Sequence, residues 1–227
     1  MRCLNIKDQE MYNAIRLLVR LDKGEDVFSS LLDASENHQK DADYWFYRAL
    51  HISEMLSKIG SQMEIFDYYE EILNSCDKAI SINSKHWPAY FLRSLFSVLI
   101  QKEMESEDET IHYLLPCFRT PEELEDEAKA MIEIQKTEKP QSFFIMPYCI
   151  LALINLDNGK DENAIEWLKK GLAKIKPSPV LYLSSLLQIP FLQLYNRLKI
   201  KDEKITQELN QYFHTMFSVN IDKVKIS

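Results

Sequence analysis

Glycine is nearly missing from this sequence, with four in 227 residues. Phosphate-binding loops, tight hairpins and strained nucleophile turns all need glycine for positive φ or close backbone approach. Its scarcity argues against nucleotide-binding α/β folds and against β folds with many turns. The four cysteines, Cys3, Cys76, Cys117 and Cys149, lie far apart and form no C-x-x-C. A secreted disulfide scaffold is shorter and denser in cysteine, so reduced thiols in a cytoplasmic protein are expected. Long apolar runs are missing too. The longest, FFIMPYCILALINL (143–156), has 14 residues and contains a proline and an asparagine. A bilayer span needs about 20, so this run reads as a buried core helix. The opening MRCLNIKDQE has no apolar signal core. No membrane insertion is expected.

Net positive charge is also lacking. The chain carries 27 basic and 35 acidic residues, a formal charge of −8. A phosphate backbone would be repelled over most of such a surface, which argues against nucleic acid as a partner. The charge is uneven: residues 160–227 hold 11 Lys/Arg against 7 Asp/Glu, and residues 1–159 hold 16 against 28.

What the sequence does have is apolar residues, 46% of the total, spaced for helices. Met11, Ala14, Ile15, Leu18 and Leu21 follow the three-and-four spacing of one helix face. Gly24 interrupts, and Val27, Phe28, Leu31 and Leu32 resume it. Further helices are predicted over 42–58, 62–82, 86–102, 120–136, 142–157, 161–175, 179–199 and 201–218. The run Thr120-Pro121-Glu122-Glu123 is a capping box with proline at the first helical position. Ser106 to Glu109 has the same form and predicts a short helix toward Leu115. Pro190 is expected to kink its helix. Strand alternation is absent, so the expected class is all-α.

Three stretches repeat one pattern: YWFYRAL (44–50), AYFLRSL (89–95) and PYCILAL (147–153). Each has an aromatic, then a small residue four places later, then leucine. With Met11 they set anchor positions at 11, 45, 90 and 148. Around the last anchor, Tyr148, Leu151, Ala152, Ala164, Leu168 and Gly171 fill the places of a helix–turn–helix repeat, and Val27, Leu31 and Ala34 do so for the first. On these residues the chain resembles the tetratricopeptide-repeat family over about 8–178, with spacings of 34, 45 and 58. The resemblance implies one helical-repeat domain over 1–227. It would be an antiparallel helix-pair solenoid of about four units, with a C-terminal helical cap over about 179–218 and a short tail over 219–227. The physical logic is the same: one helix pair buries too little area alone, and stacking pairs builds a continuous core. Small residues (Ala49, Ser94, Ala152) let backbones approach, while large ones (Trp45, Tyr90, Tyr148) fill the space beside them.

Motifs for chemistry are sparse. Glu109 and His112 form an E-x-x-H, but di-iron bundles need two of these and two further glutamates. His51 and Glu54 have the reverse order, and His38, His86 and His214 are isolated. Cys76 and Cys149 fall on apolar helix faces, where inert packing is expected. Cys117, near Arg119, is the thiol to test for reactivity. Glu122, Glu123, Glu125, Asp126 and Glu127 suit a solvated helix start, where acids complement the dipole. No catalytic residue, metal or cofactor is therefore predicted.

The resemblance also implies a concave face lined by the first helix of each unit. Carried over by position, it would present Tyr12, Asn13, Arg16 and Arg20, then Phe46, Tyr47 and Leu50, then Phe91, Leu92 and Leu95, then Cys149, Ile150 and Leu153. A groove that is basic at one end and apolar further along suits an amphipathic helix or an extended peptide. The implied function is a scaffold, adaptor or chaperone-like protein that binds protein or peptide. Packing among these residues, or against the apolar row Leu181, Leu183, Leu186, Leu187, Phe191 and Leu194, is the plainer reading of the same pattern. Two other functions stay open: an all-α enzyme or small-ligand protein, metal-dependent through Glu109 and His112, and an oligomer subunit whose apolar face is buried by its own copy.

Overall fold

The computed structural model describes residues 40–56, 62–104, 119–138, 141–178, 184–199, 201–218 and 221. Among them the chain forms eight α-helices and no strand. The helices are α1 (Ala42–Met55), α2 (Gln62–Ile82), α3 (Trp87–Met104), α4 (Pro121–Gln135), α5 (Met146–Asp157), α6 (Asp161–Lys174), α7 (Ser184–Leu198) and α8 (Glu203–Phe217). A 3-10 turn, Ser142–Ile145, leads into α5. The all-α expectation holds. The helices expected around 11–21, 27–32 and 106–115 lie outside the described residues.

Helix starts follow from local side chains. Asp41 accepts from the Asp43 and Tyr44 N–H groups ahead of α1. Thr120 and Glu123 make both bonds of the predicted capping box, at 3.2 and 2.8 Å. Asp202 accepts from the Ile205 N–H to open α8. Each cap satisfies an N–H group that the first helical turn leaves without a partner. Helix α7 runs from Ser184 to Leu198 with Pro190 inside it.

The chain divides into two compact units, Met1–Ala89 and Tyr90–Ser227, with the division inside α3. In the first, α1 and α2 form an antiparallel hairpin. Trp45, in the first turn of α1, lies under the Lys78 ammonium from the last part of α2, 4.1 Å from the ring centroid. One turn further along α1, Arg48 meets Glu71, earlier on α2, at 2.7 Å. Between them Ala49, Ile72, Leu73, Cys76 and Ala79 are buried. The three-and-four spacing of the α2 residues gives that helix one continuous apolar stripe.

In the second unit α5 is the central helix. It packs against α4, α6 and α7, and every residue from Met146 to Leu156 is buried. The turn Asn158-Gly159-Lys160 reverses the chain, with Gly159 at φ 68°, a conformation that costs glycine little. Helix α6 then runs back along α5, and Gly171 in its last turn meets Tyr148 in the first turn of α5. A Cβ on Gly171 would stand 2.8 Å from the Tyr148 Cβ and 2.9 Å from its Cγ. Helices α7 and α8 form the next pair: Phe191 packs on Tyr212, Phe213 and Phe217. Helix α7 lies against α5, and α8 against α6. The Tyr212 hydroxyl donates to the buried Ser142 carbonyl at 2.9 Å.

Gly171→Ala tests the close approach. Helix propensity alone favours alanine by about 1 kcal/mol. The new methyl has to push against the ring stem of Tyr148, and overpacking costs about 1–3 kcal/mol. We expect net destabilisation in urea unfolding. Stabilisation would show that α5 and α6 do not approach this closely at that point.

Candidate functional site

The sequence-derived partner positions fall in three places. Tyr12, Asn13, Arg16 and Arg20 lie outside the described residues. Phe46 and Leu50 on α1, Phe91, Leu92 and Leu95 on α3, and Leu153 on α5 are all buried, none more than 8% exposed. Cys149 and Ile150 are buried with them. Tyr47 is partly accessible. For α5 the cause is clear. A helix packed on three neighbouring helices has no face left over, so residues one step from the anchor serve packing as the anchor does.

The polar interior holds two arrangements that single-helix reasoning misses. The first centres on Glu127 of α4. The α4 stripe that buries Leu124, Ala128 and Met131 carries Glu127 inward too, leaving it 7% exposed. Its Oε1 accepts from Arg93 Nη2 at 2.8 Å and from Arg119 Nε at 3.0 Å. Its Oε2 accepts from the Ser94 hydroxyl at 2.9 Å. An unpaired buried carboxylate would cost several kcal/mol; two guanidinium groups and a hydroxyl offset that cost and engage both oxygens. The expectation of a solvated acidic face holds for Glu122, Glu123 and Asp126, which are exposed, and fails for Glu127. The Glu127 carboxylate ties α4 to α3 and to the residue preceding the α4 cap. Ser94, predicted only as a small packing residue, also serves as its hydroxyl donor.

The second arrangement is at His86, 5% exposed at the start of α3. Its Nδ1 accepts from the Ala89 N–H at 3.1 Å, the bond of a helix N-cap. That makes Nε2 the protonated nitrogen of the neutral ring, and Nε2 donates to Asp43 Oδ1 at 2.8 Å. Phe46 packs beside the ring, with centroids 5.4 Å apart. The histidine that looks isolated in sequence thus joins α1 to α3 with both nitrogens engaged. Such a ring is held for capping, and neither nitrogen is open toward a substrate.

Cys76 and Cys149 are fully buried, with no exposure. Burial pushes the Cys149 thiol well above the usual range, so the thiolate needed for attack is disfavoured. Burial likewise raises the Tyr148 and Tyr212 hydroxyls. Glu109, His112, Cys3 and Cys117 lie outside the described residues. Among the described residues no group of three or more His, Cys, Asp or Glu could hold a metal. No helix among them is long and apolar enough to cross a membrane.

Among known proteins, the chain matches no family model, no curated protein and no solved structure. Its function has to be argued from its own residues.

Glu127→Ala should cost about 3–5 kcal/mol in urea unfolding, because it removes the buried carboxylate that the buried Arg93 and the partly buried Arg119 share. A loss below about 1 kcal/mol is what an exposed pair would give, and would place the cluster at the surface. A second measurement concerns the thiols. With a small alkylating reagent at neutral pH, Cys76 and Cys149 should label only as the chain unfolds. Labelling of either in the folded chain at the rate of a free thiol would contradict its burial.

Proposed function

We propose that this chain is a non-catalytic helical-repeat scaffold of tetratricopeptide-like design that binds a protein or peptide. The observation that carries the reading is the packing of successive hairpins in the second unit. Helix α7 lies on α5 and α8 on α6, first helix on first and second on second. The two turns also lie side by side. Arg197 binds Asp157 at 2.5 Å and Lys201 binds Asp161 at 2.6 Å, both pairs 40 residues apart. Stacking repeats related by a constant shift would give this equality.

The first unit supports the same reading at a distance. Ile72, Cys76 and Ala79 on α2 have the spacing of Ala164, Leu168 and Gly171 on α6, and all six are buried. A lysine precedes the small residue in both helices. Lys78 covers Trp45 across its hairpin, whereas Lys170 covers Trp167 on its own helix at 4.5 Å. Adaptor, regulatory and chaperone-like roles all use a surface of this kind.

Burial of Phe46, Leu50, Phe91, Leu92, Leu95 and Leu153 narrows the proposed contact surface. In this reading partner recognition runs through Tyr47 and the amino-terminal set Tyr12, Asn13, Arg16 and Arg20, with the apolar residues acting as support. Affinity purification from cells comparing wild type with Tyr47→Ala and with Arg16→Glu tests it. We expect both variants to lose the same partners by at least several-fold while unfolding at wild-type urea concentrations. Retention of all partners by both folded variants would remove this surface from consideration.

A further inference from the structure

The sequence contains a single Asn-Gly dipeptide, Asn158-Gly159, and it forms the turn between α5 and α6. Both residues are exposed. A Cβ on Gly159 would meet no atom within 4 Å, so the backbone beside Asn158 is open to solvent and free of side-chain hindrance. We propose that Asn158 is the spontaneous modification site of the folded chain, converting through a succinimide to isoaspartate and aspartate. The Gly159 amide nitrogen, its proton taken by solvent base, attacks the Asn158 Cγ. A new C–N bond forms, and the side-chain nitrogen leaves as ammonia. Water then opens the five-membered ring at either carbonyl. One opening restores the main chain with aspartate at 158, and the other routes the main chain through the β-carbon. No oxidant or cofactor enters the balance.

The turn itself sets the rate. The Gly159 N–H donates to the Leu156 carbonyl at 3.1 Å, and Asn158 sits at ψ 8°. Ring closure requires that bond to break and ψ to rotate, so the reaction proceeds from a transiently opened turn. Among the described residues no other exposed asparagine combines these features. Asn83 is exposed in the α2–α3 turn, but it precedes Ser84, whose Cβ crowds the attacking nitrogen. Asn163 and Asn196 are exposed within α6 and α7, where the helical ladder holds the following N–H. The product places a new carboxylate between Asp157 and Asp161, the two acids that hold Arg197 and Lys201.

Full-length protein is held folded in warm, mildly alkaline buffer, with a urea-unfolded sample beside it. Both are sampled over time by peptide mapping with mass spectrometry, which reads the amide-to-acid mass gain. Chromatography separates the aspartate and isoaspartate forms. In the folded sample the Asn158 peptide should convert several-fold faster than any other asparagine peptide, with isoaspartate among the products. Its conversion should be faster still in urea. The proposal is overturned if another asparagine, such as Asn83, converts first in the folded chain. It is equally overturned if Asn158 stays intact while half of it converts in the unfolded sample.

Discussion

The second unit depends on how closely two helix backbones approach where Gly171 of α6 meets Tyr148 of α5. A side chain of any size at 171 would separate the helices there, because the nearest atoms belong to the stem of the ring and cannot swing aside. Close approach in turn lets the α5 residues reach neighbours on several sides, which buries the helix from Met146 to Leu156. Dispersion contacts fall off steeply with separation, so a widened hairpin would weaken contacts along its whole length. The tyrosine contributes large buried area while the glycine contributes only space. Neither residue type would achieve this alone.

Charge inside such a core is costly, and the chain places it where it ties elements together. Glu127 joins α4 to Arg93 and Ser94 of α3 and to Arg119. His86 joins Asp43 of α1 to the first turn of α3. Replacing a fully paired buried ion cluster by well-packed apolar residues is often neutral or stabilising. Stability is therefore a weak reason for such a cluster. Directional bonds add what apolar contacts lack: each is satisfied in only one relative placement of the elements that share it.

The helices among the described residues are legible in the sequence because helix periodicity is a local property. The α2 span could be read from residues 62–82 alone, since its stripe repeats within the segment. The α4 start could be read from four consecutive residues, because Thr120 and Glu123 bond each other's backbone. Burial is a different matter. The repeat resemblance puts Phe46 and Leu153 on an open face, because spacing reports which side of a helix is apolar and not how many helices surround it. The roles of Glu127 and His86 are hidden from the sequence for a related reason. Their partners Ser94 and Asp43 stand 33 and 43 residues away, and no window of sequence contains both ends of either bond. Tyr47, placed on the same face by the same carry-over, is partly accessible, so YWFYRAL alone does not separate it from its buried neighbours Phe46 and Leu50.

The two ion pairs between the hairpin turns show how stacking and register divide the work. Arg197–Asp157 and Lys201–Asp161 are substantially exposed, so each contributes only about 0–1 kcal/mol. The aromatic packing of Phe191 with Tyr212, Phe213 and Phe217 must supply far more. Apolar surfaces, however, are tolerant of sliding, because burial depends on area and has little direction. A shift of one helical turn moves a side chain by about 5.4 Å, which breaks both pairs and leaves four charges facing water. The spacing of four residues between Asp157 and Asp161 recurs between Arg197 and Lys201. Both pairs therefore form together only when the turns are aligned. The core supplies the energy of stacking, and the weak surface pairs favour one alignment over its neighbours.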